Sequence, residues 1–593
     1  MLTRNDFEIL RCLEKNGGHP ITQRLVAEEC GFSTGKTNAV LNNLIGSGLV
    51  DESYRLTPGG LEALAPYRVE DALILAAGMA SRFFPYSLEK PKGLMVCKGE
   101  VLIERMIRQL KEAGVKEIVV VVGYMMEQFL YLRDKYSVKF VVNNEYAEKN
   151  THSSVWAARD YLSNTYICCA DNYYPSNPFN AYEYRPYYCS IYLPGTSYVE
   201  RALLFGPDGL IRSTAKPSCD QWIMYGHAYF DREFTGKFKP ILEDYYGRPG
   251  VEQMYWETIY AENVSDLPMY AKKCVDGEIL EFDSMEEMRA FDPDFIAENP
   301  SHFLDNICQT LACEPEDVTD IEKMESGLNN RSFSFCCRGE RYVYRHPGAN
   351  ASGVIDREKE CSALLSAREA GVDRTLVHVD PRDGWKISRF INVSETFDFE
   401  DMRHVRMLAQ KLRTLHDGAG LIGHPFDYME EADRLIENIR RVDYSSYLKV
   451  LAERDAMGFI AERLCADRWP VVLCHNDLYA PNLLVEGDDL HLIDWEFAGD
   501  SDAGYDICKL FATKRRSVEE LNEYLRPYFG RDATCDEELH LVCCAALVYY
   551  YWFVWAVYAG KNGAEASGYL LYWYDQMVYY REEAQKMITE QKK

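Results

Sequence analysis

Residues 473 to 496 read LCHNDLYAPNLLVEGDDLHLIDWE, and their polar side chains have the types and spacing that phosphoryl transfer to a hydroxyl requires. His475, Asp477 and Asn482 follow the pattern H-x-D-x-x-x-x-N, in which the aspartate takes the proton of the attacking hydroxyl and the asparagine amide oxygen holds a magnesium ion. Residues 483–485 and 490–493 are short apolar strands, and Glu486-Gly487-Asp488-Asp489 is the hairpin turn between them. The hairpin returns Asp494 to the side of Asn482, where its carboxylate bridges the ion to nucleotide phosphates, with Glu496 close behind. A solvated acidic hairpin would carry similar charges. It would not need an asparagine at that offset or an aspartate closing an apolar strand.

A second group of reactive residues lies earlier. Residues 71–76 form an apolar strand that runs into Ala77-Gly78-Met79-Ala80-Ser81-Arg82, followed by Lys90-Pro91-Lys92. A glycine-containing turn after a strand lets backbone N–H groups approach a triphosphate. Arg82 and Lys92 are cations suited to a leaving pyrophosphate. Residues 166–170 are another apolar strand, and it ends at Asp171, where a carboxylate facing the glycine loop suits a magnesium ion. Asp283 offers a second carboxylate, with capping of the helix that starts near Met285 as its competing role.

These side chains need elements to hold them. Residues 116–122 and 138–142 read as buried strands and residues 103–113 as a helix, an alternation that implies a parallel sheet with crossover helices. Further on, residues 341–345 are a strand, residues 357–369 a helix, and the chain becomes a helical lobe from Asp401, with residues 407–416 one of its helices. Residues 541–559, LVCCAALVYYYWFVWAVYA, are uncharged and long enough to span a bilayer. Tyr, Trp and Cys dominate there, and a buried helix lining a site explains the run better than a transmembrane segment. Residues 1–66 show three amphipathic helices, with two wing strands expected at 48–50 and 54–57.

A chain of 593 residues holds several domains. A net charge of -28 excludes broad affinity for nucleic acid or anionic membrane. The 19 cysteines are odd in number and contain no C-x-x-C, which implies reduced thiols and a cytoplasmic location; no basic-then-apolar signal segment opens the chain.

The segment HNDLYAPN followed by IDWE resembles the choline/ethanolamine kinase and aminoglycoside phosphotransferase group, with Asn476 in place of the protein-kinase arginine. Residues 327–333, GLNNRSF, are similar to the phosphate-contacting loop of bacterial choline kinases, which implies nucleotide contacts at Asn329 and Asn330. The same resemblance places Arg345 where protein kinases hold nucleotide phosphates with a lysine, gives it Glu360 as partner, and implies a choline site at Trp552, Trp555 and Tyr572. Nearly all of residues 70–295 resembles phosphocholine cytidylyltransferases through the Ala77-Gly78 loop (with Ala80 where glycine is usual), GYMMEQFLYLRDKY, NNEYAEKNTHSSVW and Tyr255-Trp256-Glu257. That resemblance implies magnesium at Asp171 and Asp283, and a cage for a quaternary ammonium drawn from Trp222, Tyr229, Tyr255 and Trp256. Residues 1–66 resemble the winged helix of bacterial regulators. The third helix has Lys36 as its one cation, so DNA binding is expected to be weak or absent.

The expected architecture is multidomain, α/β and α+β: a winged helix at 1–66, a Rossmann-like nucleotidyltransferase with a mostly parallel sheet at 69–295, a linker at 291–300, and a two-lobed protein-kinase-like domain at 300–593. The resemblances together imply a bifunctional enzyme. It would phosphorylate choline with ATP and then transfer CMP from CTP to phosphocholine, giving CDP-choline and pyrophosphate, with Mg2+ at both sites. Two other readings stay open: the same reactions on ethanolamine or another amino alcohol, and a DNA-binding regulator whose catalytic domains act as sensors. Removal of residues 1–66 is expected to leave both activities largely intact.

Overall fold

The computed structural model describes residues 2–195, 201–216, 220–324, 330–347, 356–561 and 567–591. The chain divides into two compact units, Met1–Asn306 and Ile307–Lys593.

In the first unit the strand Asp71–Ala76 sits inside a nine-stranded sheet, pairing in parallel with Thr165–Cys169 on one side and Glu117–Val122 on the other. Glu117–Val122 pairs in parallel with Lys139–Val142. Asp71–Ala76 and Glu117–Val122 are continuous apolar runs because both of their faces are covered. Ile74 and Val120 pack with Ile103 and Ile107 of the helix Leu102–Glu112, while Leu73, Val119 and Val121 pack with Phe234, Phe238 and Trp256. Beyond Thr165–Cys169 the sheet becomes antiparallel through Gln221–Phe230, which also pairs with Tyr187–Leu193. Ala77, Asn143 and Asp171 therefore emerge together at the C-terminal ends of the parallel strands, where such sheets bind ligands.

Residues 291–300, read from sequence as a linker, are packed into this unit. Phe295 is buried, Asn299 accepts from the Val96 N–H at 2.9 Å and donates to its carbonyl at 2.8 Å, and Asp292 accepts from the Lys98 N–H at 2.6 Å.

The winged helix consists of Arg4–Lys15, Gln23–Glu29 and Thr34–Gly46, capped by Thr3, Thr22 and Ser33, followed by Pro58–Leu64. Its wing shrinks to a single bridge, Val50 to Leu56, instead of two strands. Asp51 accepts from the N–H groups of Ser53 and Arg55 at 2.9 and 2.8 Å, and Tyr54 has φ +58°, so the turn closes too tightly for a longer ladder. The core of this domain is shared: Phe7, Leu10, Leu13, Val26 and Leu44 cluster with Tyr182 of the nucleotidyltransferase. The Phe7 ring lies 5.2 Å from Tyr67 and 5.3 Å from Tyr184, whose hydroxyl donates to the Leu2 carbonyl at 3.2 Å. Deleting residues 1–66 uncovers these rings, so the truncation should cost stability whatever it does to the two activities. A scanning-calorimetry midpoint for the first unit lower by roughly 5 °C or more is expected; an unchanged midpoint would show that the shared core adds nothing.

In the second unit a five-stranded antiparallel sheet has the order Val318–Lys323, Asn330–Cys337, Glu340–Pro347, Lys386–Arg389, Leu376–Val379. The helix Arg357–Glu369 presents Glu360 to it, and a helical lobe follows from Met402. The hairpin runs as Leu483–Glu486 and Asp489–Leu492, and its two-residue turn uses Gly487 at φ +61°. The aromatic run lies in the 27-residue helix Cys535–Lys561, whose most apolar window is 83% buried within the fold, against the helices Tyr428–Val442 and Ser567–Gln591. The cysteines among the described residues are free thiols.

Candidate active sites

The cleft of the first unit has a volume of about 550 Å³ and is lined by Ala77, Gly78, Arg82, Lys92, Asp171, Asp283 and Tyr255, among others. Ala80 has φ +46°, the left-handed region where a side chain costs about 1 kcal/mol or more, so the glycine usual there answers a backbone demand. Around Gly78 a Cβ would meet nothing within 4 Å; the close approach is at Gly93, where a Cβ would lie 2.9 Å from that of Ala170 and would push the turn carrying Lys92 off the strand end that carries Asp171. Lys92 Nζ donates to Asp171 Oδ2 at 2.8 Å and to the Phe282 carbonyl. Burial alone would raise the Asp171 carboxyl, but Lys92 overcomes it and holds the group below the usual carboxylate range. Arg82 donates to Asp283 Oδ1 at 2.6 Å. Helix Met285–Phe291 takes Ser284 as its cap, which leaves the Asp283 carboxylate to the cleft. Two carboxylates at the cleft, each bridged by a cation, are a donor set of hard oxygens that fits a divalent ion.

The four-aromatic cage does not assemble here. Tyr255 lines the cleft and is 53% exposed, but Trp256 is 2% exposed and packs in the core at 5.6 Å from Tyr188 and 5.3 Å from Phe230. Tyr229 is buried against Tyr166 at 5.5 Å on the strand Gln221–Phe230. Trp222, near the start of that strand, packs on Tyr192 at 5.7 Å and Phe205 at 6.0 Å under the Lys273 ammonium. Sheet and helix geometry turn these three toward packing partners. Sequence reasoning had not singled out Asn143, whose amide donates to Ser153 and Ser154 at 2.9 and 3.0 Å, or Tyr146, Lys149 and Gln253 at the rim. Asn143 to Lys149 lie inside the segment NNEYAEKN, so the signal was its asparagine-rich exit from a strand.

In the second unit Asp506 is wholly buried and fastens the loop. Its oxygens accept from the N–H groups of His475 and Asn476 at 2.8 and 2.9 Å, and one lies 3.2 Å from His416 Nε2. The His475 ring contacts the Ile493 carbonyl at 2.9 Å and ties the loop to the hairpin's end. Burial holds that imidazole neutral by lowering it from its ordinary value. Asn482 Nδ2 donates to Asp477 Oδ2 at 2.9 Å, which leaves its Oδ1 for an ion. Asp494 sits in the left-handed region at φ +68°, 2.9 Å from Arg345. Arg345 also reaches Glu360 at 3.2 Å and Glu496 at 3.5 Å; Lys386, unremarked in the sequence, lies 3.7 Å from Glu360. Asp477 is pushed up to about 8 by burial and then by the charges of Asp494 and Glu496. Glu496 is raised by burial and then by Asp494. Asp494 and Glu496 share the Arg345 guanidinium with Glu360, and their oxygens beside the Asn482 amide oxygen are a hard donor set that fits a divalent ion. Asn329 lies outside the described residues, and Asn330 opens a strand opposite Pro347.

The aromatic wall is present with one member changed. Trp552 and Trp555 meet at 5.7 Å, and Trp573 lies 5.7 Å from the first and 6.2 Å from the second, backed by Tyr569 at 5.5 Å. Tyr572 instead donates its hydroxyl to the Thr513 carbonyl at 2.7 Å beside Tyr549. One residue along a helix turns the side chain by about 100°, which separates neighbours 572 and 573 onto different faces. The wall adjoins the loop: Trp552 packs on Phe497 at 5.3 Å, and the Phe497 carbonyl accepts from Asn476 at 3.1 Å.

A Rossmann-like sheet with a cation-and-carboxylate cleft, and a kinase-like sheet and helical lobe around an H-x-D-x-x-x-x-N loop, define a nucleotidyltransferase joined to a phosphotransferase behind a winged helix. Family models match in that arrangement: winged helix-turn-helix DNA-binding at residues 2–51, MobA-like NTP transferase domain at 72–175, and phosphotransferase enzyme family at 320–538. The chain is 32% identical over 218 residues to a choline-phosphate cytidylyltransferase of Streptococcus pneumoniae, covering 37% of this chain and 95% of that protein. It is 33% identical over 231 residues to a 2-aminoethylphosphonate cytidylyltransferase of Lancefieldella rimae, covering 38% and 93%. Through this region the chain belongs to the family of these cytidylyltransferases. Among solved structures, the choline kinase LicA from Streptococcus pneumoniae is 22% identical, covers 48% of this chain and 100% of its own, and gives a TM-score of 0.40.

Proposed function

We propose that the chain carries out two consecutive reactions: choline and ATP give phosphocholine, and phosphocholine and CTP give CDP-choline and pyrophosphate. The observation that carries the choice of alcohol is the wall of Trp552, Trp555 and Trp573 beside the Asp477 loop. A quaternary ammonium has no N–H to donate, so aromatic faces are what select it; ethanolamine would call for acceptors around its N–H groups. The relative named for choline phosphate supports the same alcohol in the second step. The relative named for a phosphonate leaves the phosphorus end open. A phosphonate arrives with its C–P bond made and needs no kinase, so a phosphotransferase on the same chain favours the phosphate ester.

In the first step the choline oxygen attacks the γ-phosphorus, the bond from that phosphorus to the bridging oxygen breaks so that ADP leaves, and Asp477, held by Asn482, takes the hydroxyl proton. Arg345 and Lys386 supply positive charge beside the nucleotide. In the second, a phosphocholine oxygen attacks the α-phosphorus of CTP, and Lys92 and Arg82 donate to the phosphate oxygens as pyrophosphate leaves. Mg2+ would be held by Asn482, Asp494 and Glu496 in one site and by Asp171 and Asp283 in the other, offsetting phosphate charge. The test is purified protein with choline, ATP, CTP and Mg2+, with products identified by mass. CDP-choline should accumulate, and phosphocholine alone should form when CTP is omitted. Failure to phosphorylate choline, or a higher kcat/KM for ethanolamine, would overturn the assignment.

A further inference from the structure

Four residues before Asp506, the strand Gly499–Asp502 ends on a carboxylate that meets two side chains of the helix Cys535–Lys561. His540 and Cys544 stand at i and i+4 on that helix and so share a face. One ligand atom from each of Asp502, His540 and Cys544 lies within 4.8 Å of the other two. His540 Nε2 is 3.0 Å from Asp502 Oδ2. The imidazole and the thiol are both 0% exposed, and among the described residues the Cys544 sulfur has no hydrogen-bond partner. The backbone makes room for the cluster: a Cβ on Gly504 would lie 2.7 Å from the Cys544 sulfur and 2.9 Å from Asp502 Oδ1. The far nitrogen of His540 is held as metal-bound imidazoles are held. Nδ1 lies 3.0 Å from Asp467 Oδ2, and Arg463 fixes Asp467 in turn at 3.0 Å. A carboxylate in that place sets the ring's orientation and its basicity toward an ion on the other nitrogen. Trp469 stacks on the ring at 4.1 Å and covers one face. A histidine clamped between two carboxylates for stability alone would account for Asp467 and Asp502. It would not account for an unpaired thiol at the same point, or for a glycine that leaves space for it.

Asp502 Oδ1 accepts from the Gly504 N–H at 2.7 Å, so Asp502 offers its other oxygen. The donors are then a thiolate, an imidazole and a carboxylate. That set suits zinc-class ions, whereas Mg2+ takes oxygen ligands. The Asp502 and Asp467 side chains are 16% and 14% exposed, so solvent is left to fill the fourth, tetrahedral position. We infer that Asp502, His540 and Cys544 form a binding site for a tetrahedral divalent ion of the zinc class, separate from the Mg2+ position given to Asn482, Asp494 and Glu496. Bonds of about 2.0–2.3 Å place the ligand atoms roughly 3.3–3.6 Å apart, so the cluster closes by roughly 1 Å around the ion. The ion replaces the thiol proton and the hydrogen bond between His540 and Asp502. It joins the strand end to the helix and braces the turn that leads to Asp506.

The test is titration of the metal-free full chain with Co2+, a spectroscopic substitute for zinc, in saturating Mg2+; its readouts depend on neither proposed activity. About one equivalent of Co2+ should produce a thiolate-to-cobalt charge-transfer band and the intense visible bands of four-coordinate cobalt, and Zn2+ should bleach both. Oxygen-only sites cannot give the thiolate band. Cys544→Ala and His540→Ala should lose it, and Cys465→Ser, which removes an exposed thiol, should keep it. Zn2+ at about 100 times its dissociation constant should raise the wild-type thermal midpoint by roughly 5 °C and leave that of Cys544→Ala in place. No thiolate band in the wild type would overturn the proposal. So would a band that persists in folded Cys544→Ala or disappears in Cys465→Ser, because the ion then sits on another thiol. If the Cys544 and His540 variants do not fold, X-ray absorption of the Co2+-loaded wild type decides. One sulfur at ~2.3 Å among nitrogen and oxygen neighbours supports the site, and a shell with no sulfur, or with two or more, rejects it.

Discussion

Asp477→Asn should cost ATP-dependent phosphorylation ~10²- to 10⁴-fold, the range for losing a general base, and leave CMP transfer to supplied phosphocholine intact. Asp171→Asn should do the reverse, because Lys92 then loses the carboxylate that holds it 2.8 Å away at the cleft. The two residues lie in different compact units, so either folded variant losing both activities would sink the independence of the sites. The Asp477 change also carries a stability signature. Burial, followed by Asp494 and Glu496, raises this carboxyl to about 8, against about 4 in an unfolded chain. Between those values the folded protein binds more protons than the unfolded one, so this group's contribution falls as pH rises from about 4 to about 8. Asparagine does not titrate. In metal-free buffer Asp477→Asn should therefore unfold at a higher temperature than wild type at pH 8, with the gap closing toward pH 4. A variant less stable at pH 8 would show that the carboxylate is better accommodated than its neighbours imply.

Much of this arrangement was legible in the sequence because it rests on short-range rules. Alternating apolar strands and crossover helices announce the parallel core. A hairpin of fixed length brings Asp494 back toward Asn482, since a two-residue turn leaves little freedom of register. What was not legible depended on long-range packing. Trp256 and Tyr229 looked like ligands for a cation because aromatic composition is the same in a cage and in a core. Lys386 is unremarkable in KISR until the strand Lys386–Arg389 pairs with Glu340–Pro347 and sets it across from Arg345. Residues 291–300 have the Asp, Pro and Asn content of a linker, but Asn299 and Asp292 use those polar groups to satisfy the backbone of Val96 and Lys98. Tyr182 and Tyr184 give no sequence hint that Phe7 covers them.

The substitution expected to act most selectively on choline is Trp573→Leu. Trp573 touches both Trp552 and Trp555, and the three rings form one wall near the Asp477 loop. A cation desolvated against such faces gains ~2 kcal/mol or more. Removing one ring should raise the choline KM by roughly tenfold or more, equivalent to ~1.4 kcal/mol, with the ATP KM nearly unchanged. Tyr572→Phe is the matched comparison one position away: it removes the hydroxyl that donates to the Thr513 carbonyl, so it should shift the thermal midpoint and leave choline alone. Trp552 is the least suitable position for a first test, because it is buried against Phe497 and its loss would mix packing with binding. If the wall is ordinary core, Trp573→Leu should lower the midpoint with no preference among substrates. A folded Trp555→Leu, Trp573→Leu double variant with the wild-type choline KM would place the ammonium elsewhere.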